Sequence, residues 1–172
     1  MQRLIFLVLL GFGTSLQAQS IKDLDFLIGE WEVLETIFPG TDKEYTESGT
    51  RTCEYYLNES YIKCEAATTP SRTGKTRYYA YLINYDHKND CFWATGLAND
   101  FPLQSHHQWF LDKDSKEIRA ITPRNVNGDR FFRGTISFAD PNQLIWNGWR
   151  SRYRGEKEWE QVFNDVATKK GS

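Results

Sequence analysis

Between residues 31 and 164 the sequence consists of short segments in which apolar and polar residues alternate, and this pattern restricts the fold more than any other feature. About ten such segments are present, rich in Tyr, Trp, Phe, Ile and Thr and separated by short polar turns, which is typical of β-strands. They lie near 31–38, 47–57, 60–68, 76–86, 90–98, 105–112, 117–122, 131–139, 143–150 and 158–164. Tight turns between successive strands predict an antiparallel meander, and closing it into one barrel removes its unpaired edges. The sequence therefore predicts an all-β protein with a single antiparallel barrel.

The segment before the first strand predicts a short N-terminal helix. Leu24, Leu27 and Ile28 are spaced i, i+3 and i+4, which places them on one face of a helix over residues 21–28. Gly29 is a natural helix stop, and the alternating pattern begins directly after it. The stretch DFLIGEWEV is therefore expected to pass from helix to strand without a loop.

One hairpin, TRTCEYYLNESYIKCEAAT, allows the strand register to be worked out. A turn at residues 58–59 places Cys53 opposite Cys64 and Tyr55 opposite Ile62. These four side chains then share one face, and the charged residues of the hairpin fall on the other face. In an oxidising compartment the two opposed cysteines could form a cross-strand disulfide, and the sequence leaves the bonded and the free forms both open.

Three stretches carry a resemblance to a known family: DFLIGEWEV, YYLNESYIKCE and YLINYDHKNDCFWATG. They resemble the secreted bacterial lipocalin-like proteins, a family of unknown function within the calycin-like β-barrels. The resemblance covers most of the chain after the first 18 residues, and it implies that the N-terminal helix covers one end of the barrel. It also implies that Gly29, Glu30 and Trp31 begin the first strand and that Trp31 fills the floor of the barrel. Such motifs report fold far better than function.

The first 18 residues are predicted to be a secretory signal peptide. One positive charge precedes a short apolar run and a stretch of small or polar residues that ends at Ala18. Cleavage after Ala18 leaves residues 19–172 as one lipocalin-like domain, and cleavage after Ser20 is the alternative.

No later segment approaches about 18 apolar residues, so no membrane span is expected, and the mature protein is expected to be soluble and secreted or periplasmic. The tail, residues 167–172, is expected to be disordered.

His107 is the candidate for acid–base chemistry or for binding a cofactor. In SHHQWFL the alternation places it on the face of Trp109, with His106 on the opposite face. Histidines on opposite faces cannot bind one ion inside the barrel, so no metal site is predicted. The sequence favours a hydrogen-bonded core group or a ligand contact over a haem ligand or a general base. Related haem-binding nitrobindin-like barrels use a histidine near the C-terminal end, where this chain has none, so no cofactor is predicted and haem is kept as an alternative.

Arginines are concentrated in the last third of the chain. In IWNGWRSRYRGEK, Arg150, Arg152 and Arg154 share the face of Trp146 if the strand continues. An aromatic floor with arginines at its rim would suit an amphipathic ligand with an anionic head, because guanidinium groups bind carboxylate or phosphate through paired hydrogen bonds. A solvated strand end is the alternative. The formal net charge of -2 argues against a nucleic-acid partner.

These observations favour an exported small-molecule-binding barrel over an enzyme, with a ligand that is apolar or amphipathic. The alternatives are a barrel enzyme of the isomerase, hydratase or lyase type that uses His107 as acid or base, and a haem carrier. A small barrel is filled by side chains or holds one modest ligand, so the existence of a cavity is left open. The predicted ligand-binding residues are Tyr55, Tyr79, Tyr81, Trp93, His107, Trp109, Trp146 and Arg150, with Ile62, Phe132 and Ile136 as further lining candidates.

Overall fold

A computed structural model describes residues 19–124, 131–151 and 158–171, and within these ranges it does not describe the side chains of 101–103. The described chain contains one short 3₁₀-helix, Ile21–Leu27, and ten strands. The strands are β1 (Gly29–Ile37), β2 (Tyr45–Tyr56), β3 (Tyr61–Pro70), β4 (Arg77–Asp86), β5 (Cys91–Ala98), β6 (Phe101–Asp112), β7 (Glu117–Ile121), β8 (Phe132–Asp140), β9 (Gln143–Ser151) and β10 (Trp159–Lys169). The predicted signal peptide, Arg152 and Arg154 lie outside the described residues. Within the described part, no helix has the length and apolarity needed to span a membrane.

The ten strands form a closed antiparallel barrel. Each strand pairs with its neighbours in sequence, and β1 pairs with β10 to close the sheet. The predicted fold class is therefore confirmed, and each predicted strand overlaps an observed one. The predicted disorder of the tail is wrong for residues 167–169, because β10 continues through them. Ala167 is fully buried and pairs with Val33, so the end of the chain is held by the closure of the barrel.

The N-terminal helix closes one end of the barrel. The carboxylate of Asp23 accepts a hydrogen bond of 2.9 Å from the backbone N–H of Ser20, which fixes the start of the helix. Gly29 has φ +129°, a conformation that L side chains rarely adopt, and it turns the chain from the helix into β1. Trp31 is fully buried, and its indole N–H donates to the carbonyl of Leu27 at 2.9 Å. The predicted turn at Gly29 and the predicted floor at Trp31 are both present.

The hairpin of β2 and β3 has the predicted register. Cys53 pairs with Cys64, and Tyr55 pairs with Ile62. The cysteines are joined as a disulfide inside the barrel, where Cys53 is 3% and Cys64 is 6% exposed. The bond therefore ties two neighbouring strands on their buried face.

The interior changes character along the barrel axis. Near the helix it is filled by apolar side chains, among them Trp31, Ile62, Phe92 and Trp109. Elsewhere, interior positions carry charged and polar side chains that are also buried. These polar interior residues are Glu35, Glu47, Arg51, Thr68, His107 and Asp165.

Candidate ligand-binding site

A cavity of about 140 Å³ lies among the polar interior residues, and we call it the inner cavity. Its walls come from six strands, β1, β4, β5, β6, β9 and β10, as expected for a ligand site inside a small barrel. The lining residues are Glu35, Arg77, Tyr79, Tyr81, Gly96, Leu97, Ala98, Ser105, Trp146, Phe163 and Asp165.

Glu35 enters the barrel because of strand alternation. It follows Trp31 and Val33 on the inward-facing stripe of β1, so its side chain points to the core rather than to solvent. Its register partners are Asp165 on β10 and Glu47 on β2. Three carboxyl groups therefore lie side by side on the inner surface of three adjacent strands.

Two arginines balance two of these three carboxylates. The guanidinium of Arg51 pairs with Asp165, and both side chains are almost fully buried. Arg77 Nη1 lies 3.0 Å from Glu47 Oε1, while the Thr68 hydroxyl donates to Glu47 Oε2 at 2.7 Å. Burial alone would lower the pKa of Arg51, but the charges and hydrogen bonds of Asp165 and Tyr79 together outweigh burial and raise the pKa above the ordinary value. Both arginines are therefore paired with carboxylates.

Two carboxylate oxygens of the inner cavity have no hydrogen-bond partner among the described residues. They are Glu35 Oε2 and Asp165 Oδ1. Glu35 is 7% exposed and Asp165 is 3% exposed. Because buried polar atoms in proteins are normally hydrogen-bonded, these oxygens are acceptor positions for a ligand or for water.

Glu35 has an unusual proton affinity. Burial, followed by the charge of Asp165, raises the pKa of Glu35 to about 7, although Arg77 and Arg51 oppose the change. Burial likewise raises the pKa of the neighbouring Tyr79 to about 12, so this phenol stays protonated at neutral pH. The inner cavity thus contains one carboxyl group that changes charge near neutral pH.

Only part of the predicted ligand-binding set lines the inner cavity. Tyr79, Tyr81 and Trp146 line the inner cavity. Trp109 is buried behind it and packs edge-on against Trp146, with the ring centroids 5.8 Å apart. Tyr55 lies at the helix end, where its hydroxyl donates to Asp25, and it does not line the inner cavity.

The prediction that Trp93 faces the interior is wrong. Phe92 and Ala94 occupy the inward-facing positions of β5, and both are fully buried. Trp93 lies on the outer face, where its indole N–H donates to the carboxylate of Asp86 at 3.0 Å. This hydrogen bond to the last residue of β4 satisfies the indole N–H outside the barrel.

His107 points into the barrel as predicted, but it does not line the inner cavity. Its ring stacks on Phe132 with centroids 4.6 Å apart. Burial, assisted by the nearby His106, lowers the pKa of His107 to about 4, so the imidazole is neutral at physiological pH. Its Nδ1 has no hydrogen-bond partner in the described part of the chain, so no carboxylate or tyrosine hydroxyl is hydrogen-bonded to that nitrogen.

Arg150 lies near the end of β9, away from the inner cavity. It is the register partner of Phe132 and of Glu160. Its side chain is 54% exposed, and Nη2 lies 3.1 Å from Glu160 Oε2. The guanidinium also covers the ring of Phe38 at 5.2 Å. Arg150 is therefore paired with Glu160 at the surface, which agrees with the alternative that this segment is a solvated strand end.

Sequence reasoning missed the charged residues in and beside the inner cavity. Glu35 and Asp165 line it, Arg51 pairs with Asp165, and all three side chains are buried in the barrel. A charged residue in an otherwise apolar stripe was the available signal, as in WEVLETI, where Glu35 stands between Val33 and Ile37.

Comparison with known proteins shows similarity in structure only. No protein-family model and no curated protein matches the chain. Rv2717c from M. tuberculosis has a TM-score of 0.60 at 8% sequence identity, with 87% of this chain and 96% of that chain covered. The S-type phycobiliprotein lyase CPES from Guillardia theta has a TM-score of 0.60 at 11% identity, covering 90% of this chain and 94% of that chain. A redesigned β-barrel, mFAP0, bound to DFHBI, reaches a TM-score of 0.47 at 13% identity, covering 84% and 99%.

At such low identities the similarity concerns the fold. The two matches with a TM-score of 0.60 each cover nearly the whole of the solved chain. Together with the closed ten-stranded antiparallel sheet, they show that this chain has the fold of the calycin-like β-barrels.

Proposed function

We propose that the chain is an exported small-molecule-binding barrel that holds its ligand in the inner cavity. The observation that carries this proposal is a cavity with aromatic walls and two buried carboxylate oxygens that lack partners among the described residues. A cavity that combines apolar walls with a few convergent polar groups is the usual form of a small-molecule site.

The size and chemistry of the inner cavity restrict the ligand. Its volume of about 140 Å³ is similar to that of an engineered cavity of about 150 Å³ that binds benzene. The ligand is therefore small, or inserts only one small group. Aromatic rings and carboxylates line the same space, so an amphipathic ligand fits better than a purely apolar one. The anionic head expected from Arg150 has no counterpart inside, because Arg51 and Arg77 are already paired with carboxylates.

Export is supported by the predicted signal peptide and by the disulfide. A bond between Cys53 and Cys64 persists in oxidising compartments such as the periplasm or the extracellular space. We therefore propose that the mature protein lies outside the cytoplasm.

Native mass spectrometry of the exported protein, purified from its own host, tests the proposed function. Wild-type protein is expected to carry a small added mass. Ser105→Leu should lose that mass, because the longer side chain projects into the inner cavity that Ser105 lines. Gln104→Leu is the matched control, since Gln104 is the exposed neighbour on the same strand. Absence of an added mass from wild-type protein would overturn the idea of a tight carrier.

An absorption spectrum of the same sample tests the haem alternative. Haem bound by His107 would give a visible absorption band that is lost in His107→Ala. A spectrum with no such band removes this alternative and leaves the inner cavity as the site.

Acid–base catalysis is a second candidate function, with Glu35 rather than His107 as the reacting group. The observation that favours it is the pKa of about 7, since a general base works best when its pKa is close to the operating pH. Glu35→Gln should then abolish turnover of a substrate while leaving its binding measurable. A substrate that Glu35→Gln converts at the wild-type rate would exclude this role.

A further inference from the structure

The charges around the inner cavity do not balance when every group is ionised. Two carboxylates and one guanidinium group line this space, and the carboxylate of Glu47 and the guanidinium of Arg51 lie beside it, which leaves one negative charge. The groups that face Glu35 are Asp165 on β10, Arg77, Tyr79 and Tyr81 on β4, and Tyr45, Glu47 and Arg51 on β2. The remaining negative charge belongs to Glu35, since Asp165 and Glu47 each have an arginine.

We propose that the ligand of the inner cavity carries a protonated amine, which binds between Glu35 and Asp165. This inference rests on the proposed function and names the chemical class of its ligand. An ammonium group supplies several N–H donors, and the two adjacent carboxyl groups present acceptor oxygens, Glu35 Oε2 and Asp165 Oδ1, that have no partner in the described part of the chain. Its positive charge also cancels the charge of Glu35.

The aromatic walls support the same class of ligand. Tyr79, Tyr81 and Trp146 line the inner cavity beside the two carboxyl groups. Tyrosine and tryptophan rings attract cations through their negative faces, and the attraction grows when the cation is desolvated. A carboxylate pair beside aromatic rings therefore suits an organic cation with a short apolar part.

Other ligand classes fit less well. An anion could accept hydrogen bonds from Arg77 Nε and Trp146 Nε1, which lack hydrogen-bond partners among the described residues. It would nevertheless meet the excess of negative charge, and the charges of Arg77 and of the neighbouring Arg51 are already paired with carboxylates. A metal ion needs a set of at least three suitable ligands, and within the described ranges no such group of His, Cys, Asp and Glu is present. A neutral alcohol has one O–H donor for the two acceptor oxygens, and it would not compensate the charge of an ionised Glu35.

Binding of an ammonium group is coupled to loss of a proton. Glu35 must be ionised to pair with the cation, and burial together with Asp165 keeps much of it protonated at pH 7. The affinity for an amine should therefore rise between pH 6 and pH 8. Binding at pH 7 should also release a proton into the buffer.

Isothermal titration calorimetry of the full chain, with three probes of similar size, tests the proposal. The probes are n-butylammonium, 1-butanol and butyrate, titrated at pH 8 into wild type, Glu35→Gln and Glu32→Gln. Glu32 is the control because it is an exposed residue of the same strand. We expect wild type to prefer butylammonium over both other probes by about tenfold or more, and Glu35→Gln to lose that preference while Glu32→Gln keeps it.

A second readout uses only the wild-type protein. Titrations of butylammonium at pH 7 in buffers with different ionisation enthalpies should reveal proton release. This measurement keeps the proposal testable if Glu35→Gln folds poorly.

The outcomes separate the proposal from the proposed function. If 1-butanol or butyrate binds wild type as well as butylammonium does, or if Glu35→Gln retains the preference, the amine inference fails while small-molecule binding stands. If none of the probes binds, the amine inference fails, and the native mass spectrum then decides the proposed function. A bound mass would preserve that function, and an empty protein would end it as well.

Discussion

Glu35 and Asp165 are register partners on β1 and β10, and both side chains face the inside of the barrel. Directly opposed residues of antiparallel strands have their Cβ atoms about 5 Å apart, so two carboxyl groups are held side by side in a buried space. Arg51 neutralises Asp165. The proton that relieves the remaining repulsion is therefore bound by Glu35, which makes Glu35 a pH-sensitive group inside the barrel.

Replacement of Glu35 by glutamine should flatten the dependence of stability on pH. The folded state raises the pKa of Glu35 from 4.5 to about 7, so it binds the proton more tightly than the unfolded chain does. The stabilisation that this proton provides is fully present below pH 4.5 and is lost as the pH rises through about 7. The difference corresponds to roughly 3 kcal/mol. Urea denaturation between pH 4 and pH 8 should therefore show wild type losing stability over this range and Glu35→Gln losing less.

The matched control for this prediction is Glu32→Gln, which changes an exposed glutamate of the same strand. It should follow the wild-type curve. Identical pH profiles for Glu35→Gln and wild type would show that Glu35 has no raised pKa in the folded state.

Removing Arg51 alone should lower the free energy of unfolding more than removing both Arg51 and Asp165. Arg51→Met leaves the carboxylate of Asp165 buried without its counterion, which typically costs about 3–5 kcal/mol. The double variant Arg51→Met/Asp165→Leu removes both charges, so it should recover most of this loss. Chemical denaturation of the two single variants and the double variant completes the thermodynamic cycle.

An exposed ion pair provides the reference against which the cost of breaking the buried pair is compared. Lys22 and Glu59 form an ion pair in which the side chains are 49% and 57% exposed. Lys22→Met should cost less than about 1 kcal/mol, because water screens such pairs. A loss in Arg51→Met as small as that in Lys22→Met would contradict the proposed cost of an unpaired carboxylate in the barrel.

The strands were predictable because their signal is local. Alternation in the β2–β3 hairpin has only one register that buries Cys53, Tyr55, Ile62 and Cys64 together, and that register is observed. Local alternation fails where both faces of a strand are apolar. In CFWATGLA either aromatic could face inward, and tertiary pairing placed Phe92 inside and Trp93 outside.

The inner cavity was only partly predictable because its charges pair across the chain. Tyr79, Tyr81 and Trp146 were found by alternation alone. Arg51 and Asp165 are 114 residues apart in sequence, and nothing local to either residue predicts its partner. Hydrophobic patterning assigns charged residues to the surface, whereas barrel closure brings these two together inside.

His107 should remain neutral in mildly acidic solution. Its pKa is lowered from 6.5 to about 4 by burial, so protonation favours the unfolded chain. The stability that this group contributes is present above pH 6.5 and is lost as the pH falls through about 4. Imidazole resonances followed by NMR from pH 7 to pH 4, with His107 assigned by its loss in His107→Gln, should show a neutral ring at pH 5.5. A midpoint near pH 6.5 would mean that the ring is accessible to water.

The disulfide between Cys53 and Cys64 should contribute measurably to the free energy of unfolding. The linked residues are 11 apart in sequence, and closure of a loop of this size is worth about 3 kcal/mol in the chain-entropy description. The double variant Cys53→Ala/Cys64→Ala should lose about that much in urea denaturation, and reduced wild type should behave like it.

Thiol titration checks the pairing without any substitution. The chain has three cysteines, and Cys91 is the free one. Wild type unfolded without reductant should therefore show one reactive thiol, and after reduction it should show all three. Three reactive thiols before reduction would mean that Cys53 and Cys64 are not bonded, and the exported location proposed above would then lose one of its two supports.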